Sequence, residues 1–124
     1  MTILIVDDEE IVRKLVHVAL KGSVDAVFLE ANDAAEALKV ARDHREPIDL
    51  LVSDIVMPGR MNGIEMAAQL SQAHPEMTVV LMSGYRPEAL TMEPAWYFIE
   101  KPFGVSEIRE KIGNVLTENW VAAY

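Results

Sequence analysis

Cysteine is absent from this 124-residue chain, which excludes disulfides, thiol catalysis and Cys-ligated zinc. Basic residues are scarce: 11 Lys and Arg stand against 20 Asp and Glu, for a formal net charge of -9. Direct nucleic-acid binding needs cations to neutralise phosphates, so that class is set aside and basic or amphipathic protein partners are favoured. No apolar run approaches the roughly 18 residues that a membrane span requires. The first residues lack the positive region of a secretory signal, and Asp7 and Asp8 interrupt their apolar run, so the expectation is a cytoplasmic protein with no membrane association. Histidine is sparse too. His17, His44 and His74 have no second histidine at ligand spacing, and each is read as a structural or surface residue. Low-complexity tracts, linkers and internal repeats are missing.

What remains is strongly apolar. Hydrophobic residues make up 51% of the chain, too many for disorder. The length suits one domain with a real core and is too short for two, so residues 1–124 are expected to form a single domain.

The apolar residues come in two periods. Ile3-Leu4-Ile5-Val6 is a continuous run of the kind a central parallel strand shows when both faces are covered. Residues 26–30, 49–53, 77–82 and 96–99 read as four more strands. Between them the spacing turns helical. Val12, Leu15, Val16 and Ala19 form one stripe after Glu9, ending at Lys21-Gly22. Ala34, Ala37, Leu38 and Ala41 form another, with Asn32 or Asp33 as its cap. Met66, Ala67 and Leu70 follow Asn62-Gly63 and precede Pro75. A short helix is expected over 86–92, ended by Pro94. Val105, Ile108, Ile112, Val115 and Leu116 mark a last helix, ending near 118, with Ser106 as a candidate cap. Trp120 and Tyr124 lie in a short tail.

Five βα units with no hairpin signal predict an α/β fold: a doubly wound, five-stranded parallel sheet with helices on both faces. In the flavodoxin-like strand order 2-1-3-4-5, strands one and three lie side by side, and ligands bind beyond the carboxyl ends of the strands at that switch point. The polar residues just past the apolar runs are Asp7 and Asp8, Asp54, Ser83, and Lys101. Three carboxylates brought together repel one another and call for a cation. An all-oxygen set fits a hard ion, and Mg²⁺ suits best because it retains waters and accepts phosphoryl oxygens. Asp54 is then a carboxylate nucleophile for an aspartyl-phosphate. Lys101 offers a point charge and Ser83 a hydroxyl for the phosphoryl oxygens.

The ordered motifs Ile5-Val6-Asp7-Asp8-Glu9, Ser53-Asp54-Ile55-Val56-Met57-Pro58, Asn62-Gly63, Met82-Ser83-Gly84 and Lys101-Pro102-Phe103 together resemble those of the receiver domain of two-component response regulators, over essentially the whole chain. The resemblance implies that Asp54 accepts phosphate from the phosphohistidine of a histidine kinase or histidine phosphotransfer protein. It implies Mg²⁺ held directly by Asp8 and Asp54, largely through water by Asp7, and by the Val56 backbone carbonyl. It further implies Ser83 and Lys101 on the phosphoryl oxygens, a switch involving Ser83 and the aromatic Phe98, and a cis bond before Pro102. Val56 and Tyr85 match positions that tune phosphate lifetime. The domain would assist its own phosphorylation and dephosphorylation, and would present a switched surface to a downstream protein target.

Two departures from the commonest receiver pattern stand out. Gly59-Arg60-Met61 lengthens the loop after Pro58 by one residue, as in receivers attached to hybrid sensor histidine kinases. The stretch from Ser83 to Lys101 is shorter than usual, which removes part of the surface used by the family's usual dimer and leaves the oligomeric state open. Other classes fit less well. A haloacid dehalogenase-type phosphatase needs a second aspartate two residues after the first, where this chain has Val56. A nucleotide or flavin binder wants a Gly- or hydroxyl-rich loop after strand one, where this chain has Asp7-Asp8-Glu9-Glu10. A degenerate receiver that serves only as a docking module would not need the intact acidic set.

Overall fold

Central strands buried on both faces dictate the architecture. In the computed structural model, which describes residues 1–84 and 96–122 with side chains through 117, the strands are β1 (Thr2–Val6), β2 (Val27–Ala31), β3 (Leu50–Asp54), β4 (Thr78–Ser83) and β5 (Tyr97–Glu100). They pair in parallel in the order β2-β1-β3-β4-β5, the order anticipated for the doubly wound fold. Every residue of β1 and β3 is buried, because both faces of the sheet are covered.

The helices are α1 (Glu10–Lys21), α2 (Ala34–Asp43), α3 (Gly63–Ala73) and α4 (Val105–Ala122). Helices α2 and α3 cover one face, where Leu4, Val6, Leu51, Val79 and Leu81 meet Ala37, Ala41, Met66 and Leu70. Helices α1 and α4 cover the other, where Ile3, Ile5, Leu50, Val52, Val80 and Met82 meet Val16, Leu20, Ile108 and Ile112. Successive strand residues alternate between the two clusters, as the two-residue strand period requires.

Several boundaries differ from the sequence expectation. Strands β2 to β5 each begin and end about a residue later, because backbone pairing continues past the last apolar residue. Asp54 lies inside the ladder opposite Met82, and Ser83 lies opposite Glu100. Gly22 ends α1 with φ of -87°, so its stop uses ordinary right-handed geometry. Asp33 is the cap of α2, accepting from the Glu36 N–H. Ser106 is not a cap: it sits in the first turn of α4, whose first bond runs from the Ile108 N–H to the Gly104 carbonyl. Helix α4 passes the expected end near 118, since no Gly or Pro interrupts the chain after Gly113. The short helix expected over 86–92, with Tyr85 and Pro94, lies outside the described residues.

Two glycines carry specific constraints. Gly59 has φ of +106°, a conformation that side-chain-bearing residues rarely adopt, and it turns the chain after Met57-Pro58. Gly63 begins α3 behind the Asn62–Glu65 capping box. A Cβ there would overlap the Asp54 backbone carbonyl oxygen and would crowd Ile55 Cα at 3.0 Å. Its N–H donates to the Ile55 carbonyl at 2.8 Å, so α3 starts directly against the end of β3.

Gly63→Ala is therefore expected to destabilise the chain by about 3 kcal/mol, the upper end of ordinary overpacking costs, because backbone has to move. Gly113→Ala, in α4 with nothing within 4 Å of the added methyl, is expected to stabilise by about 0.5–1 kcal/mol. Urea unfolding of the two variants beside wild type checks both signs.

Candidate functional site

The parallel ladder brings the polar ends of β1, β3, β4 and β5 to one edge. Asp7 follows β1 with its N–H donated to the Ala31 carbonyl at 3.2 Å, so the β1–β2 ladder runs one residue past Val6. Asp54 is the last residue of β3. Beyond β5, the Lys101 N–H donates to the Ser83 carbonyl at 2.7 Å, which aims the lysine back across the edge. The Lys101-Pro102 bond is cis, as expected.

Carboxylate oxygens of Asp7, Asp8 and Asp54 all lie within 4.8 Å of one another. Asp7 is fully buried and Asp54 nearly so, whereas Asp8 is exposed. Lys101 Nζ donates to Asp7 Oδ2 at 2.9 Å and lies 3.5 Å from Asp54 Oδ1. One ammonium is thus shared between two carboxylates, and the third faces solvent.

Every polar atom of Asp7 is engaged by the protein. Its N–H meets Ala31, its carbonyl accepts from Arg13 Nη1 at 2.8 Å, its Oδ1 accepts from the Glu9 N–H at 2.9 Å, and its Oδ2 accepts from Lys101. Both of its carboxylate oxygens are thus already hydrogen-bonded within the protein. An all-oxygen, carboxylate-rich set at this spacing fits a hard divalent cation.

The electrostatics follow from this crowding. Burial, and next the charge of Asp7, push the Asp54 carboxyl up from 3.8 to about 6; Lys101 opposes the shift and Asp8 adds to it. Burial alone would lower the Lys101 ammonium, but its bond and charge interaction with Asp7, together with Asp54, leave it raised overall.

The remaining predicted residues sit around this edge. Ser83 is buried at the end of β4. Val56 is 62% exposed beside the acidic cluster in sequence, on the loop leaving β3. Phe98 is half-buried in β5 and packs against the α2–α3 face of the core. Tyr85 lies outside the described residues. The histidines stay away from the site: His17 stacks on Phe28, His44 Nε2 pairs with Thr2 Oγ1, and His74 Nδ1 accepts from the Ile48 N–H. Among the described residues, no other group of three or more acidic or histidine side chains has metal-binding geometry, and no helix is long and apolar enough to cross a membrane. Arg13 and Gly63 were not foreseen as site residues. Neither has a side chain in the acidic cluster; Gly63 was marked only as part of the Asn62-Gly63 motif, and Arg13 only by its place one turn into α1.

The family model "Response regulator receiver domain" matches residues 3–113. The sensor kinase CckA of Brucella abortus is 31% identical over 119 residues, covering 93% of this chain, and the chain spans 12% of that kinase's length. The chemotaxis protein CheY of Listeria monocytogenes is 31% identical over 116 residues, covering 90% of this chain and 95% of that protein. Among solved structures, the response regulator protein TrrA of Thermotoga maritima, in complex with Mg²⁺-BeF, superposes with a TM-score of 0.76 at 28% identity, covering 92% of this chain and 97% of that one.

The raised Asp54 carboxyl has a measurable consequence. Below 3.8 its proton is bound in both folded and unfolded chains; between 3.8 and about 6 the folded chain holds more of it. The associated stability is therefore full at low pH and is lost as pH rises through about 6. Without divalent cation, Asp54→Asn is expected to exceed wild type in stability at neutral pH by about 2–3 kcal/mol. The gap should close toward about pH 4. Urea midpoints across this range check it.

Proposed function

This chain belongs to the response regulator receiver domain family of two-component signalling, and on that premise we propose that Asp54 is its phosphoacceptor, with Mg²⁺ as the cofactor. The observation that carries this reading is the meeting of Asp7, Asp8 and Asp54 within 4.8 Å, with Lys101 bridging two of them. Bound Mg²⁺ would offset the carboxylate charge and hold incoming phosphoryl oxygens.

Asp8 and Asp54 would supply direct ligands, Asp7 would act largely through water, and the Val56 carbonyl would complete the protein's share. An Asp54 carboxylate oxygen attacks the phosphorus of a phosphohistidine on a histidine kinase or histidine phosphotransfer protein. A P–O bond forms and the P–N bond breaks. The imidazole leaves with the bonding electron pair and takes up a proton from solvent. Asp54 must be ionised to attack, and a cation held beside it would offset the burial and repulsion that raise its carboxyl. Lys101, already within reach of Asp54, would transfer its charge to a phosphoryl oxygen, and the Ser83 hydroxyl would donate to another. Both residues lie on β4 and β5 or immediately beyond, so their rearrangement would reach Phe98 and the surface around it. Hydrolysis returns the system: water attacks phosphorus, inorganic phosphate leaves, and the Asp54 carboxylate is regenerated.

TrrA carries Mg²⁺-BeF in its solved structure, which supports the same chemistry here. The lengthened Gly59-Arg60-Met61 loop and the likeness to CckA support an origin as the receiver of a hybrid sensor kinase, with a histidine-containing partner and a downstream protein target.

Incubation with a small phosphodonor and Mg²⁺, followed by intact-mass analysis, tests the reading. Wild type is expected to gain one phosphoryl group and Asp54→Asn none; an unmodified wild type, or an equally modified variant, contradicts it. Val56 and Tyr85 are bulky, and hindrance of the attacking water by both is part of the proposal. Replacing the two with small polar residues is expected to speed loss of phosphate, as followed by the decay of the phosphorylated mass; an unchanged rate rejects the hindrance.

A further inference from the structure

Arg13 lies one turn into α1, yet its guanidinium bonds away from its own helix. Nη1 donates to the Asp7 carbonyl at 2.8 Å, and Nε donates to Glu30 Oε1 at 3.1 Å. The side chain is only 13% exposed. Glu30 stands on β2, opposite Ile5 of β1. Its other oxygen lies 3.7 Å from His17 Nδ1, and the His17 ring stacks on Phe28. Arg13 therefore ties together α1, β2 and the turn that carries Asp7 and Asp8. Two bonds in fixed, divergent directions are what a planar guanidinium supplies and a lysine ammonium on the same backbone does not.

We propose that Arg13, oriented by Glu30, is a positioning residue for the metal-binding turn. A peptide is planar, so holding the Asp7 carbonyl fixes the plane of the Asp7–Asp8 peptide. That plane sets the direction in which the Asp8 carboxylate leaves the chain. Asp8 is the exposed member of the cluster, and the backbone before it is what aims it. The inference rests on the reading of Asp7, Asp8 and Asp54 as a Mg²⁺ site. Arg13 itself touches neither the cation nor the phosphoryl group.

The sign of its effect separates this role from a simpler one. As a nearby positive charge, Arg13 opposes a divalent cation, and removing it would tighten binding. As a positioning residue it favours the cation, and removing it weakens binding. Losing an outer-shell partner of a metal site costs roughly 10–100-fold in affinity.

Calorimetric Mg²⁺ titration of the full chain tests the proposal in wild type, Arg13→Met and Arg13→Lys, with urea melts to establish that each is folded. Arg13→Lys keeps the charge and serves where Arg13→Met does not fold. Both variants are expected to bind Mg²⁺ roughly tenfold more weakly. Phosphodonor labelling of Asp54 is expected to slow at low Mg²⁺ and to recover when Mg²⁺ is saturating. Tighter or unchanged binding in Arg13→Met, or wild-type affinity in Arg13→Lys, overturns the positioning role while leaving the site reading intact. A wild type that binds no Mg²⁺ overturns the site reading and this inference together.

Discussion

Three carboxylates held within 4.8 Å of one another, with a single lysine bridging two of them, set the terms for the rest of the structure. Burial, and next the repulsion from Asp7, bear on Asp54, whose carboxyl is raised to about 6. Lys101 relieves part of the repulsion, but it is divided between Asp7 and Asp54. The cluster thus stands ready for added positive charge, and a phosphoryl group placed on Asp54 would give Lys101 a stronger partner than either carboxylate. A site whose own charges do not cancel would respond to a cation and to phosphate.

The fold keeps the imbalance from relaxing. Asp7 and Asp54 continue from β1 and β3, neighbouring strands buried on both faces, so neither backbone can withdraw. The ladder extends beyond β1 to Asp7 and beyond β5 to Lys101 through backbone bonds to Ala31 and Ser83. From one side α3 presses onto the Asp54 carbonyl, where only Gly63 fits. From the other, Arg13 and Glu30 clamp the turn after β1. Apolar burial supplies the stability, and the backbone geometry it enforces directs that stability at the site.

Much of this was legible in the chain. Continuous apolar runs such as Ile3–Val6 marked buried parallel strands, and the polar residue after each run marked the binding edge. Asp7, Asp8, Asp54 and Lys101 were all found this way, and the structure brings them together. What was less legible depends on three-dimensional approach. Asn62-Gly63 reads as a loop closure, but Gly63 is required because a helix start meets a strand end. Arg13 reads as an ordinary polar residue of α1, and its reach to Asp7 appears only once β2 places Glu30 beside it. Ser106 looked like a cap because serine favours that place, whereas the first turn of α4 closes on the Gly104 carbonyl. Strand ends shifted because hydrogen bonding does not stop where hydrophobicity does.

The most direct measurement is a crystal structure of the chain with Mg²⁺ and beryllofluoride, a mimic of the phosphorylated carboxylate. The account predicts beryllofluoride on Asp54, Mg²⁺ held by Asp8 and Asp54, and Lys101 Nζ moved from Asp7 onto a fluorine. A cluster without metal, with Lys101 still bonded to Asp7 and Asp54 unmodified, would contradict it.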